Sequence, residues 1–225
     1  MPAPEQPPLL DWRDDSIPVS RRFDDPYFSL AGGLEETRHV FLAGNGLPER
    51  FRDGFHIAEL GFGTGLNLLA TLMLHRGHGH VHYTSFEAFP LTATDIGRAL
   101  TAFPELAPIA EPFLSQWAAG ARVLRFANLT ATVILGDARE TLSQWDGKAD
   151  AWFLDGFSPA KNPELWSPAL LQEVARHTVP GGTFATYTAA GHVRRCLAEA
   201  GFAVERQPGF GRKRHMTIGR LPMGG

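Results

Sequence analysis

From residue 55 onward the hydrophobic and polar positions fall into two alternating periods. "FHIAEL", "VHYTSFE", "ADAWFLD" and "TFATYT" are short apolar runs of strand length. "LNLLATLMLHR", residues 92–102, 105–118, 138–145 and 167–178, and "AGHVRRCLAEAG" space their apolar residues for helices, several opened by a turn or proline signal. "ARVLRFANLTATVILGD" alternates around Asn128 and predicts a hairpin or two short strands. "FAVERQP" and "RHMTIGR" flank a Gly/Arg loop with no helix between them, so they pair antiparallel at one edge. Strands alternating with helices predict an α/β fold, a Rossmann-like doubly wound, mostly parallel sheet. Upstream, residues 11–50 show no dominant period; short strands and a turn at Gly32-Gly33 are expected, packed as a cap. The chain thus divides into a flexible proline-rich tail (1–10), an N-terminal cap (11–54) and a core (55–225).

Composition narrows the class. At 44% hydrophobic and 20% charged the chain is an ordinary globular protein, and no apolar run approaches a membrane span. The N-terminus lacks the basic start and apolar core of a secretory signal, and the single Cys196 cannot form an internal disulfide. A cytoplasmic protein is expected, with no membrane partner. The net charge of −3 excludes a molecule that is basic throughout. Residues 194–220 nevertheless carry seven Arg or Lys against Glu199 and Glu205, a local excess of five that suits either a solvated surface or a polyanion.

The stretch "IAELGFGTGLN" holds the chemistry. Glu59 closes a strand, and Gly61, Gly63 and Gly65 follow at alternate positions before a helix. A glycine turn there lets backbone approach a ligand beyond the sheet. The dinucleotide fingerprint G-x-G-x-x-G needs glycine at 66, where Leu66 stands, and a P-loop needs a lysine that this stretch lacks. An acid at the strand end favours a cationic group and repels a pyrophosphate. The next strand exits add Glu87, 22 residues past Gly65, placed to accept from ribose hydroxyls, and Asp137, placed to accept from an adenine amino group. Each acid alone reads more readily as an ordinary surface carboxylate or helix cap; three at successive exits around one glycine loop are much harder to assign to chance. The closing strand pair is unlike a nicotinamide-binding half-domain.

The segments "SRRFDDPYFS", "GLEETRHVFL", "ELGFGTGLN", "FEAFPLT", "DAWFLDGFSPAKNPELW", "PGGTFATYTAAGHVRR" and "GFGRKRHM" resemble the bacterial tRNA 5-methylaminomethyl-2-thiouridine methyltransferases, the family comprising the methyltransferase domain of bifunctional MnmC and the stand-alone MnmD. The resemblance implies a class I S-adenosylmethionine-dependent methyltransferase fold, S-adenosylmethionine as methyl donor, and an aminomethyl group on the tRNA wobble uridine as acceptor. It implies a FAD-dependent oxidase as a separate or fused partner, with no flavin and no metal on this chain. It places the donor against Glu59, Gly61, Gly63, Gly65, Asn67, Glu87, Phe89, Asp137 and Ala138, with Tyr27 of the cap over the methionine moiety. Asp155 is the expected catalytic residue, recruiting and orienting the amine. Lys161, Asn162 and Trp166, on a loop stiffened by Pro159 and Pro163, are expected to meet tRNA phosphate and uridine, with a buried Trp166 in a proline-rich crossover as the equal alternative, and Arg212, Lys213 and Arg214 the tRNA backbone.

Other readings remain open at this point: a small-molecule amine methyl- or aminopropyltransferase on the same fold, or a nucleotide-binding module without catalysis. His75, His78, His80 and His82 crowd one helix–strand junction, but with no cysteine and distant acids they read as surface rather than as a metal site.

Overall fold

Leu10–Arg13 (β1), Ile17–Ser20 (β2) and Asp25–Pro26 (β3) form a small antiparallel sheet at the start of the chain. The computed structural model describes residues 8–30, 32–75, 77 and 79–224. Beyond β3 the cap departs from expectation: in place of further strands, Gly33–Thr37 (α1) runs on through a π-helical turn, Arg38–Leu42, and a 3-10 turn, Ala43–Asn45. The pitch changes twice within thirteen residues, so no 3.6-residue period runs through the segment and the sequence pattern hides it. Burial holds it in place: Leu34, Val40, Phe41 and Leu42 are all at most 3% exposed. The Asn45 amide donates to the carbonyls of Phe41 and Trp152, tying the cap to the central sheet.

The core follows the predicted alternation. In chain order it comprises Phe55–Leu60 (β4), Leu66–Leu74 (α2), Val81–Glu87 (β5), Ala93–Leu100 (α3), Ala107–Ala118 (α4), Val123–Phe126 (β6) and Leu129–Leu135 (β7). Ala138–Thr141 (α5), Ala149–Leu154 (β8), Pro168–Arg176 (α6), Thr178–Thr186 (β9), Gly191–Glu199 (α7), Ala203–Pro208 (β10) and His215–Arg220 (β11) complete it. The eight strands lie in the order β10-β11-β9-β8-β4-β5-β7-β6. The five central strands are parallel. The closing pair β10 and β11 is antiparallel, and β6 pairs antiparallel with β7, so both edges end in hairpin partners. Residues 178–182, expected to close a helix, instead begin β9; Thr178 pairs with Ala149, and a register shift between Ala149 and Ala151 accommodates the Pro180-Gly181-Gly182 stretch.

Helices on both faces explain why β4 and β8 read as unbroken apolar runs. Alternate residues of β8 enter opposite layers: Ala151 and Phe153 join Ile57, Tyr83 and Phe113, whereas Trp152 and Leu154 join Leu60, Phe86 and Leu171. The cap residues Ile17, Phe28, Leu34 and Phe41 belong to the first of these layers. The cap therefore packs on one face of the sheet, and its residues Tyr27, Glu36 and Thr37 reach the cavity at the carboxyl ends of the parallel strands.

Candidate active site

At those carboxyl ends the loops after β4, β5, β7 and β8 converge with the cap around a cavity of about 910 Å³. The position is the switch point of the sheet, where β4 sends its neighbours off in opposite directions. Gly61, Gly63 and Gly65 all adopt positive φ, at 82°, 53° and 74°. At Gly61 a Cβ would lie 3.1 Å from the Cα of Gly156, so the glycine lets the exits of β4 and β8 touch.

Two carboxyl groups share one amide. Asn67 Nδ2 donates to Glu59 Oε1 and to Asp155 Oδ2, each at 2.8 Å, while its Oδ1 accepts from the Thr37 hydroxyl at 2.8 Å. Glu59 also accepts from Ser85 Oγ at 2.7 Å and is wholly buried; burial pushes its carboxyl well above the ordinary range. Asp155 additionally accepts from the Gly156 N–H at 2.8 Å. Its carboxyl is pushed up to about 7, mainly by burial, against the opposing pull of the Gly156 and Asn67 hydrogen bonds. Glu87 accepts from the Gly63 N–H at 2.9 Å and the Phe89 N–H at 2.6 Å, and burial raises its carboxyl despite these bonds. Asp137 caps α5 through the Arg139 N–H at 2.9 Å; its ion pair with the Arg139 side chain holds it below the usual range.

The roof comes from the cap and the loop after β8. Phe23 stacks on Phe157 at 4.6 Å, and Tyr27 meets Phe157 edge-on at 5.0 Å. Asp25 accepts from the Ser158 N–H at 2.8 Å, and Asp24 pairs with Lys161 at 2.6 Å. On the opposite side the loop between β10 and β11 brings Lys213 within 2.8 Å of Glu36.

A family model described as S-adenosyl-L-methionine-dependent methyltransferase matches residues 104–222. The chain belongs to this methyltransferase family. S-adenosylmethionine is its methyl donor. The methyltransferase is 51% identical over 224 residues, 93% of its length, to the tRNA 5-methylaminomethyl-2-thiouridine biosynthesis bifunctional protein MnmC of Pseudomonas aeruginosa, and 47% identical over 224 residues to that of Chromobacterium violaceum. It spans about a third of those relatives, 34% in each case. The crystal structure of MNMC2 from Aquifex aeolicus superimposes with a TM-score of 0.79 at 29% identity, covering 98% of this chain and 73% of that one. Spermidine synthase from Thermotoga maritima shares the fold, with a TM-score of 0.55 at 12% identity, covering 96% and 72%.

In this methyltransferase the cavity wall includes Gly61, Gly63 and Asn67 from the β4 exit, Glu87 and Phe89 from the β5 exit, and Asp137 and Ala138 from the β7 exit. Tyr27, Asp155, Lys161, Asn162, Arg212 and Lys213 line the rest. Four expected residues lie elsewhere. Glu59 sits behind the wall, where Asn67 and Ser85 use its oxygens, so it reaches the cavity only through Asn67. Gly65 backs onto Phe113, 2.9 Å from where a Cβ would stand, and opens α2. Trp166 is 2% exposed and donates its indole N–H to the Phe157 carbonyl, bracing the loop from beneath rather than offering a stacking face. Arg214 is exposed beside the cavity rather than within it.

Sequence reasoning did not find Thr37, Ser85, Glu36 or Tyr187. Thr37 donates to Asn67 and Ser85 donates to the buried Glu59, partners visible only once helix and strands are packed together. Glu36 was hidden in the segment whose helical pitch changes. Tyr187, just past β9, donates to the Gly156 carbonyl at 2.8 Å. Of the histidines, His75 bonds Gly79 and His80 bonds Thr130, and His78 lies outside the described residues. Among the described residues no group of three His, Cys, Asp or Glu is placed to hold a metal ion, and no helix is long and apolar enough to cross a membrane.

Proposed function

We propose that the methyltransferase acts on tRNA, transferring a methyl group to the aminomethyl nitrogen of 5-aminomethyl-2-thiouridine at the wobble position to give 5-methylaminomethyl-2-thiouridine. The observation that carries this reading is Asp155: a carboxyl at the end of β8, facing the cavity, with one oxygen on Asn67 and the other on the Gly156 N–H. A carboxylate so fixed suits an incoming ammonium. The names of the relatives and the basic residues around the cavity mouth support a tRNA acceptor in preference to a free polyamine.

The residues present fit the donor. The glycine loop leaves backbone open to the ligand, and the Glu87 carboxylate keeps lone pairs for the ribose hydroxyls while the N–H groups of Gly63 and Phe89 hold it in place. Asp137 and Ala138 line the part of the cavity that would take the adenine, and Phe89 and Tyr27 would supply its apolar walls. Glu59 acts through Asn67, holding the amide that aims Asp155.

S-adenosylmethionine supplies an electrophilic methyl on a sulfonium. Asp155 accepts N–H bonds from the substrate ammonium and aims the nitrogen at that methyl. The amine must shed one proton before its lone pair can react. Asp155, with its carboxyl near 7, can take that proton and pass it to solvent. The nitrogen lone pair then forms the new N–C bond, and the electron pair of the breaking S–C bond stays on sulfur. Lys161, Asn162 and Arg212 at the rim hold the polynucleotide backbone, which fixes position rather than sequence. A FAD-dependent oxidase, fused or separate, completes the proposed setting, and the reaction is assigned to the cytoplasm.

Incubation of the protein with labelled S-adenosylmethionine and bulk tRNA from cells lacking this enzyme, followed by nucleoside mass spectrometry, tests the proposal. The label should appear on 5-methylaminomethyl-2-thiouridine. Label on a free polyamine, or on another nucleoside, overturns it.

A further inference from the structure

Lys213 sits in a setting built for a primary ammonium. Its Nζ lies 2.8 Å from Glu36 Oε1 and 4.1 Å from the centre of the Tyr187 ring. A carboxylate on one side and an aromatic face on the other are the two groups that recognise an alkylammonium ion. Glu36, Tyr187, Lys213 and Asp155 all line the same cavity. Both walls of the seat are anchored to the Asp155 loop. Thr37, next to Glu36, bonds Asn67, which bonds Asp155; Tyr187 bonds the carbonyl of Gly156.

The two partners of this ion pair differ in freedom. Glu36 is carried by α1 and its side chain is 10% exposed, whereas the Lys213 side chain is 42% exposed and rides a short loop turned at Gly211, whose φ is 57°. Lysine can leave; the carboxylate cannot follow it. The Glu36 Oε1 that faces Nζ is itself buried, and a carboxylate oxygen carries lone pairs enough for more than one donor. A buried carboxylate stripped of its cation is costly, so a seat that Lys213 vacates selects another cation and rejects a neutral group.

We infer that Glu36 and the Tyr187 ring form the seat for the substrate's alkylammonium group, and that Lys213 occupies this seat until the substrate displaces it. The inference rests on the proposed amine methylation and adds to it the residues that recognise the amine. The lysine side chain ends in the same CH2–NH3+ unit as an aminomethyl substituent, which makes it a stand-in of matching chemistry. Displacement sends Lys213 towards solvent, on the side where Arg212 and Arg214 lie.

Titration of the full chain with n-propylammonium chloride, read by ligand-observed NMR, tests this without using tRNA. Removing a competitor that fills the seat most of the time should tighten binding, so Lys213→Met should bind the probe about ten-fold more tightly than wild type. Adding Glu36→Gln to Lys213→Met should abolish that gain. In the wild-type protein, the probe should raise the rate at which acetic anhydride modifies Lys213. Equal affinity in wild type and Lys213→Met, a gain that survives Glu36→Gln, or an unchanged Lys213 reactivity overturns the inference. If tRNA proves not to be the acceptor while the probe behaves as expected, the tRNA reaction falls and the seat stands; the reverse pattern removes the seat alone.

Discussion

The two rims of the central sheet both carry clusters of titratable groups, and they use them differently. At the amino-terminal rim, His56 bonds Thr84 at 2.8 Å, His80 bonds Thr130 at 2.9 Å, and Asp150 joins Arg52 to the His56 N–H. Burial and the neighbouring His82 push His56 down to about 4, which keeps it neutral. Its partners lie within the sheet, and none of these histidines lines the large cavity. At the carboxyl-terminal rim, Glu59, Glu87 and Asp155 are also hydrogen-bonded, but burial raises all three carboxyls, and Glu87 and Asp155 face open space. A buried polar cluster is a site when its members keep bonding capacity directed at a void; otherwise it is part of the scaffold.

Substitutions that separate the rims should rank accordingly. Asp155→Asn should lower methyl transfer by roughly 10²–10⁴-fold. S-adenosylmethionine affinity should stay close to wild type, as measured by calorimetry. With Asp155 near 7, wild-type transfer should fall as pH drops below that value, because the carboxylate that takes the proton is lost. Glu87→Ala should weaken donor affinity by roughly 10–100-fold, the equivalent of losing hydrogen bonds to a charged group. Unchanged affinity would remove Glu87 from the site. Arg212→Ala with Arg214→Ala should weaken tRNA binding several-fold and reduce the log–log salt slope by about one to two.

Stability should move in the opposite direction to activity at Asp155. Its folded pKa is raised above the ordinary 3.8 of an aspartate, so the native state binds more protons than the unfolded chain in the window between 3.8 and about 7. The wild type should therefore lose stability as pH rises through that window. Asp155→Asn should raise Tm by a few degrees above pH 7, with thermal unfolding as the readout. The smallest effect belongs to the other rim: His80→Gln should leave transfer and donor affinity unchanged and alter stability by no more than about 0.5 kcal/mol. A loss of transfer there would show that the rims are not independent.

The sequence carried the core almost completely, because β4, β5 and β8 are covered on both faces and α2, α6 and α7 keep regular spacing. The carboxyl exits Glu87, Asp137 and Asp155 were legible for the same reason: each closes a run whose end is visible. Glu59 was legible as a strand-end acid, but not as a group turned away from the ligand, since facing depends on pairing with Ser85 across β5. Trp166 reads equally well as a stacking platform or a buried brace from sequence, and its indole N–H on the Phe157 carbonyl makes it the brace. The short strands of the cap match the expectation, but its helical stretch was not legible because the pitch changes, and with it went Glu36 and Thr37.

The most direct test is a crystal structure of the protein with S-adenosylmethionine bound. The account predicts the ribose hydroxyls on Glu87, the glycine loop against the donor, and the sulfonium methyl turned towards Asp155 with space between them for one amine nitrogen. A donor bound away from Glu87, or with its methyl directed away from Asp155, would contradict it.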